Sequence, residues 1–140
     1  MPTVSRILES LLWVQDVGQA AEFYKRLFGF EVIGRSSEPG RLVAMSVGGT
    51  QVLLLAKEGG SKLASVTPGG LIPPTVGSGN SHIAFPVKID ELGAWEKRLK
   101  ESGIAIESRV KWERGGQSLY FRDPDGNLLE LATPGLWSIY

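Results

Sequence analysis

Three residues of this 140-residue chain, Glu9, His82 and Glu130, have side chains that could jointly hold a divalent cation. Carboxylate and imidazole donors suit an ion such as Mn²⁺, Fe²⁺, Zn²⁺ or Ni²⁺, and two carboxylates cancel its charge. Three protein ligands leave positions open for water or substrate, as a catalytic ion requires. Taken singly, each residue has a plainer reading. His82 is the only His in the chain, and a lone His on a strand is more often a hydrogen-bonded core residue. Glu9 could be exposed at the start of an edge strand, and Glu130 could pair with Arg122 or Arg114. The joint reading depends on where the elements put these side chains.

Glu130 lies in Arg122-Asp123-Pro124-Asp125-Gly126-Asn127-Leu128-Leu129-Glu130-Leu131-Ala132. Pro presets φ for the second position of a tight turn, and Gly lets the chain leave it. Ser118-Leu119-Tyr120-Phe121 supplies the other arm of the hairpin. A carboxylate on a half-buried strand is costly unless something pairs with it.

The order of elements repeats. Ile7 to Gln15 reads as a strand, with Leu12 and Val14 on one face and Glu9, Leu11 and Trp13 on the other. Asp16, with Gln19 three residues on, predicts a capped helix carrying Val17, Ala20, Ala21, Tyr24, Leu27 and Phe28 and stopping at Gly29. Strands are expected at about 30–37, 41–47 and 50–56. In the second half, 81–87 is a strand, Asp90 caps a helix with Leu92, Trp95 and Leu99 ending near Gly103, and strands follow at about 105–110, 117–122 and 127–132. Lys25-Arg26-Leu27 recurs as Lys97-Arg98-Leu99, with Phe23 and Trp95 at matching places. An internal duplication accounts for this, pairing Glu9 with His82 and Leu54 with Glu130. The expected organisation is one 140-residue domain: module one at 7–56, a linker at 57–80, module two at 81–133 and a tail at 134–140.

Parity then places the candidates. The faces bearing Leu12 and Val14, or Phe85 and Val87, must cover their helices. Glu9 and His82 point the other way, and so do Glu130, Tyr120 and Arg122 if Leu119, Phe121, Leu129 and Leu131 take the helix side. The three candidate ligands thus fall on one concave face. The Gly- and Pro-rich linker forbids a long regular element. A flexible connector and a cover over a pocket are equally compatible with it.

Composition narrows the classes. Fifteen basic and fifteen acidic residues cancel, so there is no electrostatic footprint for nucleic acid or an anionic membrane. Without Cys there are no disulfides, thiolate nucleophiles or Cys-type metal sites. Neither a signal-type N-terminus nor an apolar run of about 18 residues is present, and a cytoplasmic protein is the expectation.

The paired βαβββ modules, the helix phrase Ala21-Glu22-Phe23-Tyr24-Lys25-Arg26-Leu27-Phe28-Gly29-Phe30, the strand Ser81-His82-Ile83-Ala84-Phe85 and the hairpin from Tyr120 to Glu130 together resemble the vicinal oxygen chelate superfamily. That group includes glyoxalases, bleomycin-resistance proteins, fosfomycin-modifying thiol transferases and extradiol dioxygenases. The resemblance runs from about Ile7 to Thr133. It implies an α+β fold in which two βαβββ modules form a cup-shaped mixed sheet with helices on the outer face, and a metal held by Glu9, His82 and Glu130. The family's fourth ligand position falls on Leu54, which matches the three-ligand members, although those usually carry His where Glu9 stands. Arg114-Gly115-Gly116-Gln117-Ser118-Leu119-Tyr120-Phe121 resembles the loop of the fosfomycin transferases, which implies a substrate contact at Tyr120. Leu11 stands where a hydroxyl residue would contact the phosphonate, and Trp137-Ser138-Ile139 replaces the C-terminal Arg.

The expected function is therefore a divalent-metal-dependent enzyme acting on a small substrate with chelating oxygens, of lyase, thiol transferase or dioxygenase type. Glu130 and Tyr120 are the candidate catalytic residues. Arg114, Tyr120 and Arg122 are the candidate polar substrate contacts, and Trp13, Leu54 and Trp112 the candidate walls. A metal-free protein that sequesters a ligand, of the bleomycin-resistance type, is the alternative, and an interaction domain with a vestigial cup a third. Open module edges favour a homodimer, with the cup built within one chain or across two.

Overall fold

A computed structural model describes residues 1–60 and 62–140. Two compact units, Met1–Gly79 and Asn80–Tyr140, divide the chain. The architecture is α+β, with one four-stranded mixed sheet per unit, as the βαβββ modular fold requires.

The first unit contains β1 (Glu9–Val14), α1 (Val17–Phe28), β2 (Glu31–Arg35), β3 (Leu42–Val47) and β4 (Gln51–Lys57), in the sheet order β1-β4-β3-β2. The helix starts and stops where the sequence predicts. The Asp16 carboxylate accepts from the backbone N–H of Gln19 at 2.9 Å, and Gly29 closes the C-terminus in the left-handed region at φ 74°. Leu12, Val14, Val43, Met45, Leu53 and Leu55 are buried together with Ala20, Tyr24 and Leu27 of α1, so the helix covers one face of the sheet. Glu9 is exposed and Leu11 and Trp13 are half-buried, so they belong to the opposite face.

Residues 57–79 belong to the first unit. They carry a short hairpin, β5 (Ser65–Thr67) and β6 (Gly70–Ile72), and its two ends are tied together. Gly59 donates to the Gly77 carbonyl at 2.8 Å, and Glu58 donates to the Val14 carbonyl at 2.7 Å. Between these ties the chain crosses the Trp13 indole so closely that a Cβ on Gly77 would lie 2.0 Å from its ring nitrogen. Only glycine permits that approach. Gly60 and Gly77, at the two ends of the segment, therefore lie against Trp13, on the face of β1 away from the helix.

The second unit repeats the plan with β7 (His82–Pro86), α2 (Leu92–Glu101), β8 (Ser108–Lys111), β9 (Gln117–Arg122) and β10 (Leu128–Ala132), in the order β7-β10-β9-β8. Here β10 pairs parallel with β7 and antiparallel with β9, as β4 pairs parallel with β1 and antiparallel with β3. Leu119, Phe121, Leu129 and Leu131 are all buried, the parity expected of the helix-facing side. The predicted cap by Asp90 does not form. Asp90 lies inside a 3₁₀ turn, Ile89–Glu91, that leads into α2, and the N-terminus of that turn has no side-chain cap. The tighter turn satisfies the early N–H groups through the backbone, with Glu91 donating to the Lys88 carbonyl and Leu92 to that of Ile89. The strand expected at 105–110 is shorter and displaced to 108–111.

The turn between β9 and β10 does more than reverse the chain. The Asp123 carboxylate, nearly fully buried, accepts the backbone N–H groups of Asp125 and Asn127 at 2.9 Å each and the Asn127 amide at 2.8 Å. Asn127 is fully buried, and its Oδ1 accepts from the N–H of Ser81 at 2.9 Å. Leu128 then donates to the Ser81 carbonyl at 2.8 Å. One amide side chain thus joins the hairpin turn to the residue before His82 and sets the register of β7 on β10.

Replacing Asn127 by Ala leaves Asp123 without one donor and Ser81 without its acceptor. We expect Asn127→Ala to lower stability by about 2–4 kcal/mol, since one of the lost bonds reaches a charged group. The urea unfolding midpoint reads this, and an unchanged midpoint would show that the turn does not hold the strand.

Candidate metal centre

His82 and Glu130 meet in the second unit. Register places Leu128 beside His82 and Glu130 beside Ala84 on one side, and Tyr120 beside Glu130 on the other. Side chains at alternate positions share a face, so His82, Glu130, Ser118, Tyr120 and Arg122 all stand on the side opposite Leu129 and Leu131.

Glu130 is 3% exposed. Its Oε2 lies 3.2 Å from His82 Nε2, and its Oε1 accepts from the Ser118 hydroxyl at 2.5 Å. The other imidazole nitrogen, Nδ1, is 2.9 Å from the Leu128 carbonyl oxygen. A carbonyl only accepts, so Nδ1 carries the proton, and in a neutral ring Nε2 then presents a lone pair to Oε2. Two electron-pair donors facing each other at that distance call for a cation between them, either a proton or a metal ion. A backbone carbonyl orienting one ring nitrogen while the other is free to ligate is the usual support of a metal-binding His. The donor set fits a divalent ion.

Tyr120 packs its ring against His82, with centroids 6.2 Å apart and planes at 29°. Burial pushes its phenol above its ordinary value of 10, and the charge of Glu130 and a hydrogen bond to that carboxylate push the same way. Tyr120 is therefore a proton donor throughout the neutral range. Trp112, in the turn after β8, donates from Nε1 to Ser118 Oγ at 2.8 Å, which places it beside this cluster.

The other candidates are distributed as follows. Arg122 faces the same side but is engaged by Glu107, through Nε at 2.9 Å and Nη2 at 3.1 Å, and by the Gly126 carbonyl at 3.0 Å. The hydrogen bond from Arg122 holds the Glu107 carboxyl below its usual range. Arg122 is thus paired with Glu107 and not with Glu130. Arg114 is exposed in the turn between β8 and β9. Glu9, Trp13 and Leu54 belong to the first unit. Glu9 registers with Val52 as His82 does with Leu128, and Leu54 with Ala44 as Glu130 does with Tyr120. The predicted equivalences Glu9–His82 and Leu54–Glu130 therefore hold strand by strand. Among the described residues, no group of three or more His, Asp or Glu side chains is gathered in ligand geometry.

Ser118 escaped the sequence reading as a site residue. Its signal was parity, because it lies two residues before Tyr120 and so shares its face, next to the strand position that carries Glu130.

The sequence profile of the Glyoxalase/Bleomycin resistance protein/Dioxygenase superfamily matches residues 6–131. The chain belongs to that superfamily. Among solved structures, this member resembles lactoylglutathione lyase from Agrobacterium tumefaciens, with TM-score 0.84 and 30% identity over 99% of this chain and 100% of that one. Its fold is also that of the fosfomycin resistance protein FosX from Listeria monocytogenes, with TM-score 0.68 and 22% identity over 96% and 97% of the two chains. In sequence it is 26% identical to the metallothiol transferase FosB of Staphylococcus saprophyticus over 121 residues, 86% of this chain and 71% of that protein. The FosB of Bacillus licheniformis is 41% identical over 54 residues, 38% of this chain. The matched stretch spans only about a third of the latter relative, 35% of its length. Relatives in this superfamily are named as enzymes.

The Tyr120 shift has a definite sign. Above pH 10 the unfolded phenol loses its proton while the folded one keeps it, so the stabilisation is complete below pH 10 and is lost as pH rises through the folded value. We expect the urea midpoint to fall from about pH 9 to about pH 11, and to fall less steeply in Tyr120→Phe. Equal slopes would show that Tyr120 titrates as a free phenol.

Proposed function

We propose that the chain is a divalent-metal-dependent enzyme of this superfamily, acting on a small substrate that presents chelating oxygens. The observation that carries the reading is the His82–Glu130 pair, with Nδ1 tied to a carbonyl and Nε2 and a buried carboxylate oxygen facing each other at 3.2 Å. His82 and Glu130 are the proposed ligands, with Glu9, at the equivalent position of the equivalent strand, as the third. A bound Mn²⁺, Fe²⁺, Zn²⁺ or Ni²⁺ would supply Lewis acidity to the substrate oxygens.

The protein's own groups have separate tasks. Tyr120 keeps its proton, which it donates in a hydrogen bond to the Glu130 carboxylate, and would donate to a substrate oxygen where negative charge develops by exchanging that partner. Ser118 holds Glu130, and the Leu128 carbonyl holds His82, so neither has to reorganise when substrate arrives. Arg114 is the proposed anion contact, and Trp13, Leu54 and Trp112 the proposed apolar walls. Arg122 is a weaker choice, because using it would mean breaking its pair with Glu107. Lyase, thiol-transferase and dioxygenase chemistry all fit this arrangement, since the fold and ligands do not choose among them. A homodimer in the cytoplasm is the proposed setting. Among the described residues, no helix is long and apolar enough to cross a membrane.

A metal-free ligand-sequestering protein is the second reading, which the four Trp and the glycine-rich segment between the modules suit. In that case the exposed His82 ring simply pairs with the buried Glu130 carboxylate at 3.2 Å.

The two readings separate on metal content. For protein purified without chelator, we expect about one divalent ion per completed site, and a raised unfolding temperature on adding Mn²⁺, Ni²⁺ or Zn²⁺. An ion at 100 times its Kd stabilises by about 2.7 kcal/mol. Glu130→Gln and His82→Ala should abolish that rise, and Glu9→Gln should reduce it. A wild-type chain with no metal and no stabilisation by any of these ions would sink the enzyme reading and leave the sequestering one.

A further inference from the structure

The carboxylate of Glu130 uses its two oxygens for different purposes, and the residues that separate them are Ser118 and Trp112. Indole Nε1–H is a donor with no acceptor. When Trp112 donates to Ser118 Oγ at 2.8 Å, it fills one of the two lone pairs of the hydroxyl. The single hydroxyl proton is then directed onward to Glu130 Oε1, at 2.5 Å. That length is typical of a charge-assisted bond from hydroxyl to carboxylate. Ser118 is 1% exposed and Glu130 3%, so water does not compete for either end.

The relay has a rigid base. Trp112 donates its backbone N–H to the Gly116 carbonyl at 2.8 Å, and Gly115 donates back to the Trp112 carbonyl at 2.9 Å. Gly116 lies so close to the backbone of the tail that a Cβ there would be 2.5 Å from the Gly135 carbonyl carbon. Ser118 itself sits in β9, in register with Ala132 of β10 and Val110 of β8. Both ends are therefore fixed by backbone.

We propose that Trp112 and Ser118 form a positioning device that reserves Oε1 of Glu130, so that a cation held with His82 is met by Oε2 alone. The inference rests on the metal reading given above and deepens it. One-oxygen ligation spends a single coordination position on Glu130 and leaves the rest for a chelating substrate. A carboxylate free to offer both oxygens would occupy one more. Ser118 and Trp112 act through Glu130 and need not touch the substrate.

The test uses the full chain loaded with Co²⁺, whose visible absorption reports the number of ligands around it. Three variants are compared with wild type: Ser118→Ala, Trp112→Phe and the double variant. Ser118→Ala should weaken Co²⁺ binding about 10–100-fold, the usual cost of losing a group that supports a ligand. It should also lower the intensity of the visible bands, as the freed Oε1 adds a ligand. Trp112→Phe keeps the aromatic bulk and removes the N–H, so it should move both readouts the same way by less. In the Ser118→Ala background it should add nothing, because its effect passes through the hydroxyl.

A Ser118→Ala chain with wild-type affinity and wild-type bands would overturn the inference while leaving the metal site standing. Should that variant not fold, Trp112→Phe decides alone, and wild-type behaviour there overturns the inference equally. A wild-type chain that takes up no Co²⁺ overturns the metal reading and this inference together.

Discussion

A buried negative charge is the constraint on which the second unit is built. Glu130 stands on the central strand β10 with almost no exposure, and an isolated carboxylate there would cost several kcal/mol. The two strands that flank β10 share the task of compensating it. From β9 come the Ser118 hydroxyl and the ring of Tyr120, and from β7 comes His82. These partners reach the carboxylate only if β7 and β9 flank β10 in the observed register. That register is held in turn by the Asp123–Asn127 turn and its bond to Ser81. The residues around Glu130 and those of the turn are thus parts of one hydrogen-bonded assembly.

The two units share a strand order but not a polar cluster. The positions equivalent to Ser118, Tyr120 and Glu130 are Leu42, Ala44 and Leu54 in the first unit. An aliphatic trio needs no compensation, so the first sheet carries nothing like the Trp112–Ser118–Glu130 chain. What it has instead is Trp13 under a glycine-rich segment whose two ends are tied together. If the halves arose by duplication, the buried polar cluster has become confined to the second, and Glu9 stands at the strand position equivalent to His82.

Membership of the superfamily and the likeness to lactoylglutathione lyase bear on the fold. They do not choose a reaction, because a fold hosts many chemistries and the site must be argued from its own groups. The groups in hand are a His–Glu pair, a phenol that keeps its proton and a hydroxyl committed to one carboxylate oxygen. That set is better suited to polarising and positioning substrate oxygens than to nucleophilic attack. The Ser118 oxygen already accepts from Trp112, and its proton is already donated.

Much of this was legible in one dimension. Period-two and period-3.6 patterns, the Asp16 and Gly29 caps, the Asp-Pro-Asp-Gly turn and the repeated phrases determine the βαβββ succession of both modules and, within each, the sheet face that Glu9, or His82 and Glu130, occupy. These features are local, and side-chain parity survives any rigid arrangement of strands. Asp90 misled because capping competes with a 3₁₀ turn that satisfies the same N–H groups through the backbone. The pairing of Arg122 with Glu107, the choice of Ser118 over an arginine as the partner of Glu130, and the tautomer of His82 required tertiary structure. Each depends on which side chains meet across strands distant in sequence, and distances of 2.5–3.2 Å cannot be read from spacing along the chain.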